Sequence, residues 1–171
     1  MLRWLIRNRL DAAERRLGVS TDYLRHMADV HRPAFFKFAR FLPLAAFRRS
    51  ASAEALHVAR VVAARHEDCG TCVQIAVNVA RQEGMSAEAL KHVLADDPAS
   101  LGEALGDVYR FAKAVVERNG EDGELRESIR RRYGERALIE LSWAIATARV
   151  FPTLKRGMGY ATSCSRMTLN V

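Results

Sequence analysis

The segment HEDCGTC, residues 66–72, holds two of the three cysteines in a chain of 171 residues. Thiols at CxxC spacing lie close enough to form a disulfide with little backbone movement. One sulfur can attack and the other can resolve, so Cys69 and Cys72 are candidate redox groups. Two other readings stay open. His66 would extend the pair to HxxCxxC, and Cys164 or His57 could complete a metal site. The cysteines could also be two small residues packed in a core. Glu67 stands two residues before a thiol and is a candidate proton shuttle. As capping residues, Glu67 and Asp68 also suit a helix start, and His66 reads as a turn residue.

A helix must carry this motif. Placed at 100° per residue, Cys69, Cys72, Ile75, Ala76, Val79 and Ala80 share one face, and Gln74, Asn78, Arg81 and Gln82 share the other. Both thiols then fall in the first turn, where unpaired N–H groups and the helix dipole stabilise an anion. A thiolate in that position can have its pKa lowered from ~8.5 to well below ~7.5.

The rest of the chain has almost no strand signal. Ala, Leu, Arg and Glu dominate, and period-3.6 patterns recur, which predicts an all-α, single-domain helical bundle over residues 1–171. Eight to ten helices are expected. A helical extension covers about 1–50, and a helical hairpin about 52–84 is capped near Ser52 and ends at Gly84. SLGE, from Ser100, reads as a capping box with Glu103. Further helices are expected between Gly123 and Gly134 and from about Glu135 to Phe151, with Pro152 as a stop and a short helix beyond. AFFKFARFLPLAAF carries five of the seven phenylalanines. It reads as core or as a subunit interface, with a membrane-surface role the weaker alternative.

Composition narrows the function classes. Apolar residues at 49% and charged residues at 27% indicate a globular chain. No uninterrupted apolar run approaches the ~20 residues of a membrane span. The opening MLRWLIRNRLDAAERRLG is broken by charges within three residues and does not read as a signal peptide, so a cytoplasmic location is expected. In a reducing compartment a CxxC points to catalysis or metal binding. The net charge of +7 comes from scattered bases, which read as solvated helix faces and not as a nucleic-acid site.

The stretch ALHVARVVAARHEDCGTCVQIAVNVARQEGMSAE, residues 55–88, resembles the carboxymuconolactone decarboxylase-like family, and within it the alkylhydroperoxidase-D-like branch. The later ERALIELSWAIATARVF resembles that family's second conserved helix. The resemblance covers roughly half the chain. It implies an all-α fold, assembly as trimers or hexamers, and a CxxC pair that reduces hydroperoxides or disulfides with electrons from a thiol donor. It requires no organic cofactor or metal. It also makes Cys72 the attacking thiol and Cys69 the resolving one. Two positions depart from the pattern: the usual glutamate twelve residues before the first cysteine is His57, and the usual histidine four residues after the second is Ala76. Across the expected hairpin His57 should lie near Ala76, so its imidazole is a candidate substitute that reaches Cys72. On its own helix, however, it falls in the polar arc with Glu54, Arg60 and Arg65. Lactone decarboxylation, a branch without dependence on CxxC, and a binding or scaffold role with structural or zinc-binding cysteines are the alternatives.

Overall fold

The sequence VARVVAARH has apolar residues on every side of its helix, and such a helix is stable only when surrounded. In the computed structural model, which describes residues 2–120, 122–164 and 168–171, this helix is α4 (Ala53–His66), and it forms the axis of the fold. Leu56, Val58, Ala59, Val61 and Ala63 are completely buried in it. Its start is fixed by Ser52, whose hydroxyl accepts a hydrogen bond from the Ala55 N–H at 3.2 Å.

The described residues form eight α-helices and no strand, so the all-α expectation holds. Three helices form the N-terminal extension: α1 (Leu2–Leu17), α2 (Asp22–Val30) and α3 (Arg32–Ala45). After α4 come α5 (Gly70–Gln82), α6 (Ala87–Leu94), a single 3-10 turn (Ala99–Leu101), α7 (Gly102–Glu117) and α8 (Asp122–Gly157). The main core lies where α4 packs against α5, α7 and α8, and it includes Val73, Val77, Val108, Phe111, Ile129, Leu141 and Ile145. Gly18, at φ +67°, ends α1 as a left-handed cap and brings it down on α5. There the Asn78 amide donates to the Leu17 carbonyl at 2.6 Å. The Gln74/Asn78 face of α5 is therefore covered, and Gln74 is buried.

Several expected boundaries are revised. No capping box forms at SLGE: Ser100 lies in the 3-10 turn, where its N–H donates to the Asp97 carboxylate, and Glu103 pairs instead with Arg132 at 2.6 Å. Pro152 does not stop the last helix. α8 runs through it to Gly157, broken only at Gly134, whose φ of +84° is not helical. A proline removes one ladder donor, and helices tolerate this where packing holds them. Pro152 and Lys155 are both buried. By length and composition α8 is also the one described helix able to cross a membrane, yet 44% of its apolar window is buried inside the fold. The phenylalanine-rich α3 contributes no buried residue. Phe38 and Phe41 instead form an aromatic cluster with Phe151 of α8, while Phe36, Leu42, Leu44 and Phe47 stay exposed.

Candidate functional site

Cys69 is the residue immediately before α5, and Cys72 lies in its first turn. Their Cα atoms are 5.2 Å apart and their sulfurs are joined as a disulfide. The Cys69 carbonyl accepts the N–H groups of both Cys72 and Val73 at 2.9 Å, so the helix begins at the first sulfur. Cys69 is fully buried and Cys72 is 7% exposed. Among the described residues, no group of three or more His, Cys, Asp or Glu side chains is placed to hold a metal ion.

Glu67 and Asp68 do not cap α5. Glu67 ends α4, and its carboxylate accepts from Arg149 Nε at 2.5 Å, with Arg156 Nη1 at 3.7 Å. Arg156 also donates to the Glu67 carbonyl. Asp68 takes a left-handed backbone conformation, φ +48°, and its carboxylate turns toward the C-terminal segment. It accepts from Ser163 Oγ at 2.8 Å and from the Cys164 N–H at 2.8 Å, and those bonds hold its pKa below the usual carboxylate range. The Gly70 N–H donates to the Thr162 carbonyl at 2.8 Å, and Gln74 exchanges two 2.8 Å hydrogen bonds with the Asn170 backbone. The C-terminal segment thus lies across the start of α5. Cys164 is a free, half-buried thiol whose pKa is raised by burial and by Asp68.

His57 sits elsewhere. Its side chain is buried, and Nε2 lies 3.1 Å from Glu83 Oε2 at the far end of α5. Glu83 follows Cys72 by roughly 16 Å of helix at about 1.5 Å per residue. The structure therefore brings Glu67 to the edge of the cysteine site and leaves His57 at the opposite end of the hairpin. Ala76 is half-buried against the core, and the imidazole is engaged by Glu83. Desolvation by burial, only partly offset by Glu83, lowers the His57 pKa below 6.5. His66, the other candidate ligand, is exposed at the end of α4.

Sequence reasoning passed over Thr71 and Lys155. Lys155, 3% exposed, enters from the last turns of α8 and donates to Thr71 Oγ1 at 2.5 Å. Thr71 Oγ1 is in turn 3.6 Å from Cys69 Sγ. The ammonium also sits 5.1 Å from the centre of the Tyr23 ring. The usable signal was the run of cations along the last helix, Arg149, Lys155 and Arg156, but nothing in their spacing says which element they meet. Arg149 and Arg156 are engaged by Glu67, whereas Lys155 lies one hydroxyl from Cys69 Sγ, and with the start of α5 it favours a thiolate there.

No family profile, no curated protein and no solved structure matches this chain.

Proposed function

We propose that the protein is a thiol–disulfide oxidoreductase that cycles Cys69–Cys72 between disulfide and dithiol. The observation that carries this reading is the disulfide at the start of α5, with the buried Lys155 one hydroxyl away from Cys69 Sγ. A purely structural link fits less well. The loop it closes has four residues, and a loop that short contributes only about 2 kcal/mol by chain entropy. The motif's resemblance to the alkylhydroperoxidase-D-like branch supports the same chemistry.

In the reductive half-cycle, a donor thiolate attacks the sulfur of Cys72, the less buried of the two residues. The S–S bond breaks and its electron pair leaves on Cys69. A second donor thiolate then attacks the sulfur of the bound donor and expels the Cys72 thiolate, so two donor thiols become one disulfide and the protein becomes a dithiol. In the oxidative half-cycle, the Cys72 thiolate attacks a substrate disulfide and expels one thiolate. Cys69 then attacks Cys72 Sγ, expels the second thiolate and restores the bond. With a hydroperoxide as oxidant, Cys72 takes the terminal oxygen as a sulfenic acid and releases an alcohol, after which Cys69 displaces water. Disulfides are the better supported substrates, because Ala76 replaces the histidine of the resembling family and His57 is engaged by Glu83, which leaves neither to protonate an alkoxide. Such a pair cycles in a reducing, cytoplasmic setting.

Assembly with further copies of the chain belongs to the same proposal. It is supported by an apolar surface on which Ile139, Trp143, Leu44 and Phe47 are exposed, with Trp143 Nε1 donating to the Leu44 carbonyl at 2.7 Å. The catalytic test is thiol-dependent reduction of a small disulfide by the parent and by Cys72→Ser. Turnover that survives the substitution overturns the reading.

A further inference from the structure

We propose that Lys155, acting through the Thr71 hydroxyl, holds the negative charge that appears on the Cys69 sulfur when the disulfide opens. This makes Lys155 a positioning residue for the redox reading above, on which the inference rests. A buried ammonium normally needs a carboxylate, because its desolvation is otherwise uncompensated. Lys155 is buried, and among the described residues no carboxylate lies within ion-pair distance of it. Its described contacts are the Thr71 hydroxyl at 2.5 Å and the face of Tyr23. On the other side of that hydroxyl, 3.6 Å from Thr71 Oγ1, is the Cys69 sulfur, which becomes an anion when the disulfide opens.

The chemistry follows from the donor directions. Lys155 donates to Thr71 Oγ1, so the threonine proton is free to turn toward Cys69 Sγ. In the disulfide that sulfur is a weak acceptor. When a donor thiolate attacks Cys72 Sγ, the electron pair of the broken bond comes to rest on Cys69 Sγ. The Thr71 O–H then donates to a full negative charge, and the ammonium lies one hydroxyl away. The same contacts keep Cys69 ionised for its return attack on Cys72. No further oxidant or reductant enters, because donor and substrate are those of the proposed cycle.

Other charges bear on the titration. Asp22 and Tyr23 of α2 face the lysine, and Asp22 raises its pKa against the larger lowering by burial. Around the sulfurs stand Glu67 with Arg149 and Arg156, and Asp68, which is engaged by the C-terminal segment. All of these are unchanged by isosteric substitution at 71 or 155, so a shift in those variants reports the relay.

The test uses Lys155→Met and Thr71→Val in the full-length chain. Thiol pKa values are read from thiolate absorbance after reduction with dithiothreitol, and the dithiol/disulfide equilibrium is read against glutathione. Both variants should raise the lower thiol pKa by about one unit. Both should move the equilibrium about tenfold toward the disulfide, which is about 30 mV. Thermal stability of oxidised Lys155→Met should not fall, since an unpaired buried charge is removed. If Lys155→Met does not fold, Thr71→Val decides alone. Titrations that superimpose on the parent overturn the relay. A parent that cannot be reduced by glutathione overturns the redox reading instead, and the pKa comparison in dithiothreitol still decides the role of Lys155.

Discussion

His57 Nε2 and Glu83 Oε2 meet at 3.1 Å and join the first turns of α4 to the end of α5, at the end of the hairpin away from the turn that carries the cysteines. This pairing uses the imidazole that could otherwise have served the thiols. Alkylation of Cys72 as a function of pH should therefore give the same curve in the parent and in His57→Gln.

The same histidine makes the fold acid-sensitive in a defined window. Its folded pKa lies below 6.5, with burial as the main cause. As pH falls through 6.5 the unfolded chain takes up the proton first, so stability drops until the folded pKa is reached and is constant below it. Urea titrations at about pH 7.5 and pH 5.5 should show this loss in the parent. In His57→Gln the loss over that interval should be smaller. Equal losses would mean that His57 is not the responsible group.

Glu140 supplies a second, more acidic limb. Its buried carboxylate accepts the backbone N–H groups of Arg49 at 3.1 Å and of Ser50 and Ala51 at 2.9 Å, and so fixes the loop that enters α4. Burial alone would raise its pKa, but these hydrogen bonds outweigh it and the net shift is downward from 4.5. The stabilisation is thus complete above the unfolded value and is lost as pH falls through the folded one. Glu140→Ala should cost about 2–3 kcal/mol at neutral pH, chiefly by leaving the loop donors without their ionised acceptor. A cost within about 0.5 kcal/mol, the range of ordinary surface substitutions, would rule out that role.

The exposed apolar surface makes its own prediction. Ile139 is 61% exposed beside Trp143, and a charge there should disrupt contact between copies. Light scattering of the parent should give a mass well above 19.2 kDa, and Ile139→Glu should lower it. A parent that is monomeric at micromolar concentration would show that the surface has another use.

How much was legible in the sequence depended on the range of the interactions. The hairpin was readable because Ser52, the CxxC and Gly84 are local punctuation, and each acts on its own backbone within a few residues. The place of the cysteines at the start of α5 followed from the same local rules. Polar arcs on a helical wheel did not tell where those faces lead: the solvent-facing reading of His57 does not hold, and Gln74 is buried too, because α4 is surrounded and α5 is covered by α1 and the C-terminal segment. Lys155 was invisible because its meaning lies in Thr71, 84 positions away. The capping box at Ser100 failed because Arg132, from another helix, takes Glu103.

The most direct test of a redox role is a titration of the oxidised protein through graded glutathione ratios, followed by thiol trapping and peptide mass spectrometry. The expected result is a single reversible transition in which Cys69 and Cys72 open together and Cys164 stays unlinked throughout. A Cys69–Cys72 bond that persists across the whole range, or a disulfide that includes Cys164, would contradict it.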